Sequence, residues 1–260
     1  MKSVIFSNQK GGVGKTTLAR ELGIYIASLG HRLLFVDCDP QGNLSKSLLD
    51  ETNGGLYEGI ADRAVKLTVL DDGLSILTGD WRLTLLEKSL IGEIDAYTRI
   101  RDLVAEEPFS GFDFIFLDTP PSLGVLTVNA LAAAAYLVIP MNPSLYSMQG
   151  TNDLMRTVSK VRSALNPDLA LLGVIINAYD NLPVITRQIR EEIERAFAEK
   201  VFATALSKSI RIEEAIAQKK GVIHHKHLGS SRAREEVILI GNELLVRLGV
   251  TAEKEVRHGD

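Results

Sequence analysis

Apolar residues along the chain follow two different periods. Short unbroken runs, Val4-Ile5-Phe6, Leu33-Leu34-Phe35-Val36, Phe114-Ile115-Phe116-Leu117, Leu137-Val138-Ile139 and Leu169 to Ile176, read as strands buried on both faces. Leu74-Ser75-Ile76-Leu77 is a shorter strand of the same kind. Between the runs, apolar positions recur at steps of three and four. Leu18, Leu22, Ile26 and Leu29 form one such stripe, and Leu154, Val158, Val161 and Leu165 another. Ile185, Ile189, Ile193 and Phe197 make a third, and Ala233, Val237, Ile240, Leu244 and Leu248 the last. Each stripe is one face of an amphipathic helix. Strand alternating with helix in this way predicts an α/β fold with a doubly wound, mostly parallel sheet flanked by helices.

Two stretches carry less pattern. Leu44 to Asp72 shows turn signals at Gly54-Gly55 and Asp71-Asp72-Gly73 but no clear period. Trp81 to Ala105 reads as helix broken near Gly92, with Trp81 as a core or interface anchor.

Composition sets bounds without redirecting this picture. The 260 residues are 45% hydrophobic and 24% charged, enough for one α/β domain over residues 1–250 with a polar tail at 251–260. No apolar run approaches the ~20 residues that cross a bilayer, and the start lacks a secretory pattern. The single cysteine, Cys38, excludes an intramolecular disulfide, suits a cytoplasmic protein and reads as a small core residue. A net charge of −4 leaves any nucleic-acid contact to a local basic patch.

The candidate chemistry begins where the first strand meets the first helix, at Asn8-Gln9-Lys10-Gly11-Gly12-Val13-Gly14-Lys15-Thr16-Thr17. Glycines there let successive N–H groups turn inward, and the helix N-terminus adds partial positive charge, so the turn cradles phosphate. Lys15 reaches the β- and γ-phosphates and the Thr16 hydroxyl ligates Mg²⁺. Asp37 and Asp39 stand at the end of the second strand, and Asp118 at the tip of a fully apolar one. Carboxylates at strand tips lie beside the phosphates. Asp118 is therefore a Mg²⁺ ligand, largely through water, next to Thr16.

The box Lys-Gly-Gly-Val-Gly-Lys-Thr-Thr, with a lysine at each end and Gln9 where the general pattern has glycine, resembles the deviant Walker A motif of the ParA/MinD family of P-loop ATPases. Asp37-Cys38-Asp39-Pro40-Gln41-Gly42-Asn43 is similar to that family's first switch, and Thr119-Pro120-Pro121-Ser122 to its second. Carried over residue by residue, the resemblance implies an ATPase using ATP and Mg²⁺. In it Lys10 crosses to the partner's phosphates in a nucleotide-sandwich homodimer. Asp39 positions the attacking water, with Lys10 and Lys15 as the catalytic cations, and Asp37 is a further candidate at the metal.

By the same resemblance Asn177 reads the adenine edge, although an asparagine at a strand end is also an ordinary turn former. The block Ser207-Lys208-Ser209-Ile210-Arg211 is similar to a family segment in which Arg211 meets DNA phosphates. Two departures stand out. Ser207-Lys208 replace Pro-Arg, and Leu182 occupies the place of a second arginine, so Arg187 or Lys208 is the candidate to substitute. The implied partners are nonspecific DNA, bound by the ATP dimer, and a ParB-like protein that stimulates hydrolysis. The implied location is the nucleoid, and the implied role is segregation of chromosome or plasmid DNA or another cargo. Because the loop starts at once, no N-terminal helix-turn-helix domain is expected.

The alternative is a membrane-cycling positioning ATPase like MinD. It requires a C-terminal amphipathic helix, and Thr251 to Asp260 offers one valine and no aromatic residue, so no membrane contact is expected. His224, His225 and His227 have no partner at a recognised ligand spacing and read as a surface loop rather than a metal site.

Overall fold

The computed structural model describes residues 1–52, 55–62, 64–71, 73–144, 147–179, 184–224 and 231–250. Expectations that fall on Gly54, Asp72, Leu182, His225, His227 and the 251–260 tail lie outside the described residues.

Among the described residues, eight strands form one sheet: β1 (Lys2–Phe6), β2 (Leu33–Asp37), β3 (Thr68–Asp71), β4 (Leu74–Leu77), β5 (Phe114–Asp118), β6 (Tyr136–Met141), β7 (Ala170–Tyr179) and β8 (Leu206–Ser207). Their order is β3-β4-β2-β5-β1-β6-β7-β8. Every neighbouring pair is parallel except β3 and β4, a hairpin closing one edge. The helices are α1 (Lys15–Ser28), α2 (Asn43–Leu48), α3 (Gly55–Ala61), α4 (Leu83–Ser89), α5 (Arg99–Val104), α6 (Val125–Ala133), α7 (Ser147–Ala164), α8 (Val184–Phe197), α9 (Ile210–Ala217) and α10 (Arg232–Arg247).

The continuous apolar runs are explained by burial on both sides of the sheet. Side chains alternate across a strand, so Val4 and Phe6 join Leu33, Phe35, Phe114 and Phe116 under α1, α9 and α10. Ile5 joins Leu34, Val36, Ile115 and Leu117 under the helices from α3 to α8. The stripes of α1 and α10 face each other in the first layer, with Leu18, Leu22, Ile26, Val237, Ile240 and Leu244 all fully buried. Ile189 and Ile193 turn α8 toward the opposite layer.

Burying a charge is costly unless it is paired, and besides Lys15 at its start α1 buries two adjacent ones. Arg20 and Glu21 form an ion pair with neither side chain exposed. Arg20 also donates to the carbonyls of Ser47 (3.4 Å) and Lys220 (3.0 Å), and Glu21 accepts from the Val222 N–H at 2.8 Å. One charged pair thus ties α1 to the end of α2 and to the segment after α9.

Two expectations need correction. The 44–72 stretch holds α2, α3 and β3, elements too short for period to reveal. Trp81 is not in the core, one of the two places expected for it: it is 67% exposed, beside Arg82, whose side chain bonds Asp80 and Glu58 and sits over the Tyr57 ring.

Candidate functional site

Register places the site. Phe6, at the end of β1, is level with Asp118 on β5, and Asp118 with Asp37 on β2. The glycine-rich turn that follows β1 therefore rises beside two strand-tip carboxylates, at the C-terminal edge of a parallel sheet where such folds bind ligands.

Helix α1 begins at Lys15, and its cap, Gly14, has φ +87. That left-handed conformation favours glycine, and space demands it as well: a Cβ at Gly14 would lie 1.9 Å from Asn177 Nδ2. Gly11 and Gly12 are exposed on the loop and Val13 is buried beneath it. The loop is held from several sides. Asn8 donates to Pro140 O at 2.8 Å and accepts from the Lys10 N–H at 3.1 Å. Asn142 donates to Gly12 O at 3.0 Å and Asn177 to Val13 O at 2.9 Å.

The two lysines take different positions. Lys15 is 7% exposed, and its amine lies 3.3 Å from Lys10 O. Burial pulls its pKa below the ordinary lysine value, while Asp118 and Asp39 oppose the shift. Lys10 is half-buried at the rim, with its amine on the Ser144 hydroxyl of the segment after β6. Thr16 and Thr17 are half-buried at the start of α1.

The Thr16 hydroxyl donates to Asp118 Oδ2 at 2.6 Å. The other oxygen, Asp118 Oδ1, is buried with no hydrogen-bond partner among the described residues. Burial, then the neighbouring Asp37 charge, raise the Asp118 pKa well above the usual carboxylate range. A buried carboxylate with a spare oxygen beside a hydroxyl is a hard-oxygen donor set of the kind Mg²⁺ takes, with water completing its shell.

Asp37 has a different local role. Its carboxylate accepts from Ser45 N–H (2.9 Å), Ser45 Oγ (2.6 Å) and Asp39 N–H (3.2 Å), so it fixes α2 and the turn before it. Desolvation pushes its pKa up to about 6. Asp39 is 5% exposed and accepts from the Gln41 N–H at 2.9 Å, which orients its carboxylate within the turn. Cys38 between them is fully buried.

The candidate DNA-contacting residues divide between two layers. Arg211 is exposed on α9 and pairs with Glu214 at 2.9 Å; Lys208 is exposed three residues before it. Ser209 caps this helix by accepting from the Arg211 N–H. Arg187 is exposed on α8, whose apolar side packs in the opposite layer from that of α9. Sequence reasoning missed Asn8, Asn142, Ser144 and Ser45. All act across more than a turn of chain, Asn8 through its bond to Pro140 O, and Asn8 alone gives a weak signal, its place inside the loop.

A parallel sheet, a glycine loop running into α1 and a Thr16–Asp118 pair define a P-loop nucleoside-triphosphatase. A family model described as an AAA domain matches residues 1–171. The chain is 37% identical to the chromosome-partitioning ATPase Soj of Thermus thermophilus over 86% of this chain and 88% of that protein. It is 36% identical to the chromosome partitioning protein ParA of Myxococcus xanthus over 94% and 88%. It is also similar to a solved Mycobacterium smegmatis protein named cobyrinic acid a,c-diamide synthase, with bound ADP and magnesium. That likeness has a TM-score of 0.75 and 29% identity, over 84% of this chain and 93% of that one. The chain belongs to the Soj/ParA family of partition ATPases.

Proposed function

We propose that this chain is an ATP-driven partition ATPase that dimerises face to face on ATP, binds DNA nonspecifically as that dimer, and releases it on hydrolysis. Residues 1–250 act as one ATPase domain. The observation that carries the reading is the placement of two lysines on one loop. Lys15 is buried at the start of α1, while Lys10, five residues earlier, is half-buried with its amine on Ser144, which supports a role for it outside its own site. The names of the similar Soj and ParA proteins, and the ADP and magnesium held by the similar M. smegmatis protein, support it.

In the mechanism, the N–H groups of residues 11–17 and the Lys15 ammonium bind the phosphates. Polyphosphate charge also stabilises the protonated amine against its burial. Thr16 and Asp118 would hold magnesium, which would supply neutralisation of the phosphate charge. Asp39 orients water for in-line attack, and Asp37 keeps the switch turn in place. Lys10 leaves Ser144 and neutralises phosphate on the facing protomer, so phosphate release removes the attraction that holds the pair. Asn177 borders the pocket on the β7 side. Arg211 and Lys208 supply phosphate contacts at the start of α9, doubled in the dimer, and Arg187 lies on a second surface. Such contacts give salt-sensitive, sequence-independent binding. A ParB-like protein accelerates hydrolysis, and the ATP form resides on the nucleoid.

The test is retention on long nonspecific DNA, together with sedimentation, under ATP, ADP and no nucleotide. Retention and dimer with ATP alone are expected. Lys10→Ala abolishes the dimer while leaving monomer nucleotide binding; Arg211→Glu abolishes retention while leaving the dimer. Equal retention in all three nucleotide conditions overturns the reading.

A further inference from the structure

We propose that Asn177 and Asn142 are positioning residues for the phosphate loop, acting on its backbone. The inference rests on the nucleotide-binding reading of that loop. Asn142 follows β6 and Asn177 lies in β7, the adjacent strand, and they donate to adjacent carbonyls, Gly12 O at 3.0 Å and Val13 O at 2.9 Å. A trans peptide is planar, so its C=O and the following N–H point in opposite directions. Anchoring Gly12 O therefore aims the Val13 N–H away from β6 and β7, and anchoring Val13 O does the same for the Gly14 N–H. These two N–H groups lie in the arc that cradles phosphate.

Gly14 fits this role. With a Cβ only 1.9 Å from Asn177 Nδ2, any larger residue would displace the amide from Val13 O. Asn177 is itself only 8% exposed, so the amide is held among protein atoms at the loop rather than extended to solvent. A loop with these peptides already oriented does not have to order them when phosphate arrives, which is a gain in affinity through preorganisation. The gain attaches to the phosphates and is blind to the base.

The experiment compares Asn177→Ala and Asn142→Ala with the wild type in the full chain. Binding of Mg-ATP, Mg-GTP and inorganic tripolyphosphate is measured by titration, and the ligand-free unfolding midpoint is recorded. Each variant is expected to lose ATP and tripolyphosphate affinity by the same factor, about threefold to tenfold for one hydrogen bond. The ATP-over-GTP preference stays unchanged, while the ligand-free unfolding midpoint falls in Asn177→Ala, which leaves the buried Val13 carbonyl without its donor, and moves little in Asn142→Ala, whose bond is exposed. Collapse of that preference in Asn177→Ala with tripolyphosphate binding intact overturns the inference, because Asn177 is then a base reader. Unchanged affinities in both variants overturn it too. A wild type that binds tripolyphosphate but not ATP defeats the ATPase reading while the two anchors are still measured; one that binds neither defeats both.

Discussion

Thr16 and Asp118 meet at 2.6 Å across 102 residues of chain, and the second Asp118 oxygen is buried without a hydrogen-bond partner among the described residues. The contact joins the first turn of α1 to the tip of β5. It leaves the ligand-free site holding a carboxylate whose ionised form is disfavoured.

Asp118→Asn keeps the shape and removes the charge. Magnesium-dependent nucleotide affinity is expected to fall about 10- to 100-fold, as when a group supporting a metal is lost. Ligand-free stability is expected to rise by about 1–2 kcal/mol, because a buried charge has gone. Titration calorimetry and urea unfolding read the two effects, and a variant less stable than wild type would contradict the second.

Asp37 and Asp118 also set a pH dependence. Both folded-state pKa values lie above the ordinary aspartate value, Asp37 at about 6, so the folded protein holds more protons than the unfolded chain. Their contribution to stability is greatest below the unfolded pKa and declines as pH rises. For Asp37 the decline runs from about pH 4 to about 6 and amounts to roughly 2–4 kcal/mol. Unfolding midpoints without nucleotide should fall across that window, and less steeply in Asp118→Asn, which removes a second carboxyl that keeps its proton in the folded state. A rise in midpoint would refute the assignment.

The Arg20–Glu21 pair predicts a strongly non-additive mutant series. Arg20→Ala leaves Glu21 charged and buried, at a cost of about 3–5 kcal/mol. The double change Arg20→Met with Glu21→Leu removes both charges and should come within about 2 kcal/mol of wild type. Denaturant unfolding of the two singles and the double settles this; additive losses would rule out the pairing.

Lys219 takes φ +55 one residue past the Gln218 cap of α9, a left-handed conformation that side chains disfavour. Its ion pair is with Asp50, which is 94% exposed; such pairs add little. Lys219→Gly should stabilise by about 0.5–1 kcal/mol, relief of the left-handed strain minus the extra freedom glycine gives the unfolded chain. An unchanged or lower melting temperature would mean the Asp50 pair matters more than the backbone.

The amino-acid order by itself determined the parts of this protein whose causes are local. Unbroken apolar runs mean strands covered on both faces, and steps of three and four mean helices with one buried side. Gly11 to Thr17 between them marks the phosphate loop, because glycine placement and the helix start lie within a few residues. Tertiary structure decided what lies far apart in the chain. Sheet order brings Asp118 to Thr16, Asn177 to Val13 and Ser144 to Lys10, and it puts Arg187 and Arg211 on helices of opposite layers. No period records which strand neighbours which. Strand order is set by burying both faces of the sheet at once, and that condition belongs to the whole chain rather than to any segment.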